Sequence, residues 1–370
     1  MSAEYTATRR AATTAPARCR VTLWIVALLS LILLADNGPL RGSDLPMQPR
    51  GYYVGTIGER LRIQMTLDRD EQHASGSYYY EHVGQPLKLK GRLDDAGKLT
   101  LREQDERQRV TGTFTGEFVD GGLQFSGLWS SADGRRQLKC QLRQVAEFDL
   151  LRLRHGDRVE ASCRVPQLMG DADGLRQVNL GLRRAAYKST LEFVDSARPL
   201  FRELPAHAPH RYERRLHHSI TYYSPTFLSV LVADWQYTGG AHGNVEFRSR
   251  NLSIRDGRLV AVSWQDLFRS PEDAERRISD FCLADLKRQQ AEWVVDGSIQ
   301  QFDRGSLVLT ASPRGLQAIF APYAVGPYSS GVHEVLIPYR ALRPVLRPEG
   351  PLERMAATAG VAGRRASDRR

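Results

Sequence analysis

The stretch Leu61-Arg-Ile-Gln-Met-Thr-Leu67 alternates apolar and polar residues without a break. Side chains of a strand point alternately to its two faces, so this stretch reads as a half-buried β-strand. A second alternating stretch, Leu87-Lys-Leu-Lys-Gly-Arg-Leu93, lies downstream, and turn signals recur at Asp94–Gly97, Asp120–Gly122 and Asp133–Gly134. No helical period interrupts the region. Residues 51–146 are therefore expected to form an all-β antiparallel meander of about eight strands, closed into a small barrel or sandwich because open hydrophobic edges invite aggregation.

The pattern then changes. Residues 147–165 read as two strands, and Asp171–Phe193 as an amphipathic helix with Leu175, Val178, Leu182 and Ala186 on one stripe. Pro199–Pro209 reads as a turn region. Arg214–Tyr223 and Thr226–Tyr237 form a hairpin, as do Val245–Ile254 and Leu259–Val262, pivoting on Asp256–Gly257. Pro271–Gln290 is a second helix, with Pro271 suited to its first turn and Glu272, Asp273 and Glu275 to its N-terminal dipole. Short strands follow at Leu307–Thr310, Leu316–Phe320 and His333–Ile337. The fold class is α+β overall: an N-terminal β barrel or sandwich, then an α+β domain over 147–345 with an antiparallel sheet and two main helices. Its small sub-domain covers 147–210 and its main part 211–345. Residues 346–370 read as a disordered basic tail.

Ahead of all this, Arg9, Arg10, Arg18 and Arg20 precede an uninterrupted apolar run from Val21 to Leu34. Basic residues before a short apolar run are the mark of a secretory signal or an uncleaved anchor, here residues 1–35, with 36–50 as a linker. The run is shorter than the ~20 residues that span a bilayer comfortably, and cleavage and anchoring both remain open. The body is expected in the periplasm or on the outer face of the cytoplasmic membrane, held to the membrane through residues 21–35 if uncleaved. Export leaves Cys140, Cys163 and Cys282 in an oxidising compartment. A bridge between Cys140 and Cys163 and three buried thiols stand as alternatives.

The net charge of +10 suggests nucleic acid until its location is examined. Residues 1–20 carry +3 and residues 340–370 carry +5, which leaves about +2 for everything between. A nucleic-acid binder concentrates positive charge on a folded face, so no nucleic-acid partner is expected. His207, His210, His217 and His218 are dense enough to suggest zinc, but the first two flank a Pro-rich turn and the last two are neighbours that face opposite ways in a strand. No metal and no cofactor are expected.

The most distinctive string is Asp234-Trp-Gln-Tyr-Thr-Gly-Gly-Ala-His-Gly-Asn244, followed by Ser263-Trp-Gln-Asp-Leu-Phe268 and by Pro322–Tyr339, PYAVGPYSSGVHEVLIPY. With Val165–Asn179, VPQLMGDADGLRQVN, these strings resemble the extracellular domain of RsiV-type anti-sigma factors over about residues 147–345. That domain also accompanies peptidoglycan deacetylases and stands alone in envelope proteins. The resemblance implies a strand–turn–strand at the Thr-Gly-Gly-Ala-His segment, and a partner that is a lysozyme-like protein or a peptidoglycan fragment. The anti-sigma role does not carry over, because about twenty residues before the apolar run are too few to enclose a sigma factor. In the first domain, Ser75-Gly-Ser-Tyr-Tyr79 resembles one element of the periplasmic lysozyme inhibitors, whose second element fails here at Pro86.

Gly239 and Gly240 suit a tight connection or a ligand cradle. The binding candidates are Trp235, Tyr237, Gly239, Gly240, His242, Asn244, Tyr323 and Tyr328, with Trp235 and Tyr237 on one face of their strand. The competing reading makes His242 a residue that merely fixes the bend. Catalysis would need a carboxylate beside His242; Asp234, Glu246 and the His333–Glu334 pair are the candidates, and none falls at a recognised spacing. The sequence reads as an exported, non-catalytic envelope binding protein, with a peptidoglycan-directed hydrolase using His242 and a structural scaffold module as the alternatives.

Overall fold

The computed structural model describes residues 50–70, 72–170, 173–203, 211–255 and 258–357. The expectations for residues 1–35 and for the linker therefore lie outside the described residues, except that Arg50 already opens the first strand.

Eight strands form an antiparallel barrel: β1 (Arg50–Ile57), β2 (Leu61–Arg69), β3 (His73–Tyr80), β4 (Leu87–Leu93), β5 (Lys98–Gln104), β6 (Val110–Val119), β7 (Gln124–Ser131) and β8 (Gln137–His155). Each pairs with the next, and β1 closes the ring by pairing Gly51–Ile57 with Glu147–Cys140 of β8. The alternation at 61–67 is the physical cause of the interior. Ile63, Met65 and Leu67 point inward with Tyr53, Leu89, Leu101 and Phe114. Strands approach closely at Gly91, where an added Cβ would lie 1.8 Å from the Thr100 carbonyl oxygen, so only glycine fits.

The strand β8 does not stop at the barrel. Its first half pairs with β7 and β1, and from Ala146 to His155 it pairs with β9 (Val159–Leu168). Residues 146 and 147, the expected division of the chain, are thus consecutive positions of one 19-residue strand, and a single 13-stranded sheet continues through both parts.

The helix α1 (Asp173–Glu203) follows β9 and leads to β10 (Tyr212–Ser224), which runs parallel to β9. A long helix between consecutive strands can return the chain to the same end of the sheet, and that is what a parallel neighbour requires. This is the one parallel pairing among the described strands; the rest, including β11 (Phe227–Tyr237), β12 (Asn244–Arg255) and β13 (Arg258–Ala261), are antiparallel. Leu182 and Ala186 of the expected stripe are buried against Cys163 and Val165 of β9. The helix also runs ten residues past Phe193 and through Pro199, into the stretch read as a turn region. Val194, Ala197 and Phe201 continue the stripe and bury against Val159 and Ala161, which outweighs the hydrogen bond that Pro199 removes.

A second sheet, β14 (Val308–Ser312), β15 (Gly315–Phe320) and β16 (His333–Pro338), packs with α2 (Pro271–Arg288) into a core of its own. Ser270 caps α2 by accepting from the Asp273 amide, Pro271 sits in its first turn, and Ala274, Ile278, Cys282 and Leu286 form its buried stripe. This core includes Leu346, Leu352 and Met355, so the disordered-tail expectation is corrected as far as residue 357. The apolar side chains of that stretch find a hydrophobic surface that composition alone does not reveal.

The Cys140–Cys163 bridge is also corrected. Both thiols are free and buried, Cys140 in the barrel core and Cys163 in the sheet–helix core, while Cys282 is buried in the third. Burial pushes the Cys140 and Cys282 thiols up to about 12, so they behave as small apolar groups.

The barrel is locked to the rest by Gln64. Its side-chain oxygen accepts from the Tyr52 hydroxyl (2.7 Å), the Tyr79 hydroxyl (2.8 Å) and the Tyr223 amide (3.0 Å). Its amide donates to Glu81 and to the Tyr223 carbonyl, both at 2.8 Å. The tyrosines of the 75–80 stretch thus serve both sides of β3: Tyr78 donates inside the barrel to buried Glu103, and Tyr79 faces the joint.

Candidate functional site

Strands β11 and β12 are joined by residues 238–243. Gly239 (φ 94°) and Gly240 (φ 92°) take the left-handed backbone that reverses the chain, a region that side chains disfavour. The Tyr237 hydroxyl braces the turn by donating to the Gly240 carbonyl at 3.0 Å. Trp235 and Tyr237 alternate with Asp234 and Gln236, and Gln236 donates to Asp234 on the opposite face, as the strand period requires. Trp235 carries the Arg215 guanidinium 5.0 Å from its ring centre. Its other neighbour is Gly243, where a Cβ would come within 2.5 Å of the indole.

The turn meets a segment far away in sequence. Residues 322–331 lead into β16 and are anchored by the Trp293 amide, which donates to the Val325 carbonyl at 3.1 Å. Tyr328 from this segment stacks on His242, with ring centres 3.5 Å apart and planes 14° from parallel. Its hydroxyl donates to the Gly243 carbonyl at 2.8 Å, and His242 Nδ1 lies 3.0 Å from the same oxygen. A carbonyl only accepts, so Nδ1 carries a hydrogen, and Nε2 lies 3.5 Å from the Tyr323 hydroxyl. Tyr323 is half exposed and sits at φ 69°, a conformation that a bulky residue holds only when its surroundings impose it.

Six of the eight candidate residues therefore gather around one loop junction: Tyr237, Gly239, Gly240, His242, Tyr323 and Tyr328. Trp235 underlies it at Gly243, and Asn244 is exposed at the start of β12 opposite Gln236. The candidate carboxylates are engaged elsewhere. Asp234 is buried on the far face and takes both forks of Arg214, at 2.8 and 2.7 Å, together with Arg248 at 3.0 Å. Burial alone would raise its pKa, but the hydrogen bonds and charge of Arg214, with Gln236 and Arg248, outweigh it and hold the carboxyl below its usual range. Glu334 accepts from Gln317, His333 meets Gln289, and Glu246 is exposed beside Arg248. Among the described residues, no group of three or more His, Cys, Asp and Glu side chains converges to hold a metal ion.

Reading by motif missed the role of the arginines. Arg214 ties β10 and β11 to α1 by donating to the Ser189 carbonyl at 2.6 Å, and Arg215 covers Trp235. The available signal was positional, because Arg215 shares the Trp235 face by alternation.

Residues 265–340 match the family model of DUF3298, a family described as a protein of unknown function. The chain thus carries a DUF3298 domain that includes Tyr323 and Tyr328; the His242 turn precedes the matched residues. No curated protein matches the chain. Among solved structures, a member of the DUF3298 family from Bacteroides fragilis is similar at 14% identity with a TM-score of 0.38, over 55% of this chain and 94% of that one. A DUF3298 family protein from Pseudomonas aeruginosa is similar at 17% identity with a TM-score of 0.39, over 54% of this chain and 95% of that one.

Proposed function

We propose that this chain, with its DUF3298 domain, is an exported cell-envelope binding protein that recognises a wall component or a muralytic enzyme such as lysozyme without catalysis. The observation that carries the reading is the junction of His242, Tyr323 and Tyr328. Three aromatic rings from two distant segments are fixed against one another, and Tyr323 is held half exposed at a costly backbone angle. Pre-fixed aromatic surface lowers the entropy cost of association and is a common anchor for partner proteins and sugars. The engagement of His242 by a carbonyl and a phenol favours recognition over hydrolysis, because a general base needs its partner carboxylate and its substrate at those ring nitrogens. The basic residues and apolar run at 9–34 support export.

The test is calorimetric titration of the full chain with a c-type lysozyme and, separately, with soluble wall fragments at physiological salt. Saturable binding that weakens at least ten-fold in Tyr323→Ala supports the reading and assigns the ligand. No heat with either ligand would sink it and leave the scaffold reading ahead. Release of new reducing ends or free amines from the wall fragments would point to the hydrolase instead.

A further inference from the structure

The barrel carries a feature of its own, away from the aromatic junction and independent of that reading. Eight strands enclose an interior that side chains just fill, or that keeps room for one small ligand. Here an apolar hollow of about 220 Å³, counted out to its open mouth, remains between Tyr53, Leu67, Leu99, Phe118 and Phe125. Apart from the Tyr53 hydroxyl, the side chains that line it are apolar.

One inward position of this interior is charged. The inward alternation of β2 runs through Ile63, Met65 and Leu67 and continues one step further to Arg69, the last residue of the strand. Its guanidinium lies 3.8 Å over the ring centre of Phe118, at the mouth of the hollow. It also meets the β6–β7 turn, where a Cβ on Gly122 would come within 3.3 Å of Nη2. The Arg69 Nε is closed off from solvent and has no hydrogen-bond partner among the described residues. The carboxylates beside it in sequence are engaged elsewhere. Asp68 takes both forks of Arg50 on the outer side of the strand, and Asp70 accepts from the amides of Gln72 and His73. Exposed Val119 and Leu123 flank the same turn and extend the apolar surface outward. Buried polar groups are almost always paired. A cation with an unmade bond at the mouth of an apolar hollow is therefore matched by a molecule that joins a negative head to an apolar tail.

We propose that this end of the barrel binds an anionic amphiphile, with its carboxylate on the Arg69 guanidinium and its tail in the hollow. The planar guanidinium fork meets the two oxygens of a carboxylate through parallel N–H donors, and such bonds are about twice as strong as neutral ones. Phe118 and Arg69 close the mouth together, so the tail enters as they swing outward. Inside, each methylene that leaves water tightens binding roughly three- to four-fold.

The test titrates the full chain calorimetrically with acetate, butanoate, octanoate and octan-1-ol at constant ionic strength. Octanoate is expected to bind saturably, at least ten-fold more tightly than butanoate and than octan-1-ol, and acetate to give no saturable heat. Arg69→Gln should weaken octanoate at least ten-fold, and Arg69→Lys, which keeps the charge but not the fork, by less. Neither variant should lower the melting temperature, because the Nε has no bond within the protein to lose. The proposal is overturned by the absence of saturable heat with octanoate, by affinity that does not rise with tail length, or by octan-1-ol binding as tightly as octanoate. It is equally overturned by octanoate binding that Arg69→Gln leaves unchanged. If both variants lose octanoate binding and melting temperature together, Arg69 is a plug in the barrel wall and the proposal falls.

Discussion

The imidazole of His242 lies flat on the phenol ring of Tyr328, 3.5 Å between centres, although the two residues are 86 positions apart. One carbonyl, that of Gly243, receives a hydrogen bond from each of them. The stack is worth roughly 0.5–1.5 kcal/mol beyond its area. A double-mutant cycle with His242→Ala and Tyr328→Phe/Ala, read by chemical denaturation, should give a coupling in that range. Additive single effects would show that the two loops are held together by other contacts.

Among the described residues, Asp234 is the carboxylate paired with buried Arg214, whose side chain is 8% exposed. Asp234→Ala should cost about 3–5 kcal/mol, because it leaves a charged guanidinium without its partner. Replacing both, as Asp234→Leu with Arg214→Met, should recover much of that loss. Urea denaturation distinguishes the cases. A double variant as unstable as the single one would place the cost in packing instead.

His218 sets a pH dependence. It is buried, and burial, then the Arg250, Arg248 and His217 charges, push its pKa to about 4, against the opposing pull of the Arg164 carbonyl. Between 6.5 and 4 the unfolded chain binds a proton that the folded chain does not, so stability is full above pH 6.5 and declines as pH falls toward 4. At about 1.4 kcal/mol per pH unit, the decline from this group is on the order of 3 kcal/mol. His218→Gln should lessen the slope of the stability profile across that window, with His217 supplying the rest, measured by denaturation at stepped pH. An unchanged profile would mean that the ring titrates normally in the folded state.

Gln64 ties the barrel to β10, so the barrel and the later strands of the same sheet are expected to unfold together. Gln64→Leu removes the acceptor shared by the Tyr52 and Tyr79 hydroxyls and leaves the Tyr223 amide without it, at about 1–3 kcal/mol for a buried group left unsatisfied, while the Tyr79 hydroxyl keeps the Thr221 carbonyl. The expected outcome is a lower melting temperature and a calorimetric trace that separates into two transitions where the parent shows one. A single transition in the variant would mean that the continuous strand β8 is sufficient to couple the two parts.

The sequence by itself determined what has a local period. The alternation at Leu61–Leu67 fixed which side of β2 lines the barrel, Pro271 with the early acids Glu272, Asp273 and Glu275 fixed the start of α2, and the glycines at 239 and 240 fixed a reversal between two strands. These follow because the pleat, the helical turn and the backbone angle are decided within a few residues. The tertiary structure alone decided that β8 serves both parts of the chain, and that α1 continues through Pro199 because Phe201 finds a pocket against β9. It also decided that Cys140 and Cys163 lie in separate cores, that His242 meets Tyr328, and that Arg50 and Arg164 share the Asp68 carboxylate. Each of these depends on which distant strand stands next to which. Strand pairing is set by burial and by the closing of long loops, neither of which leaves a mark at the residues where the contact is finally made.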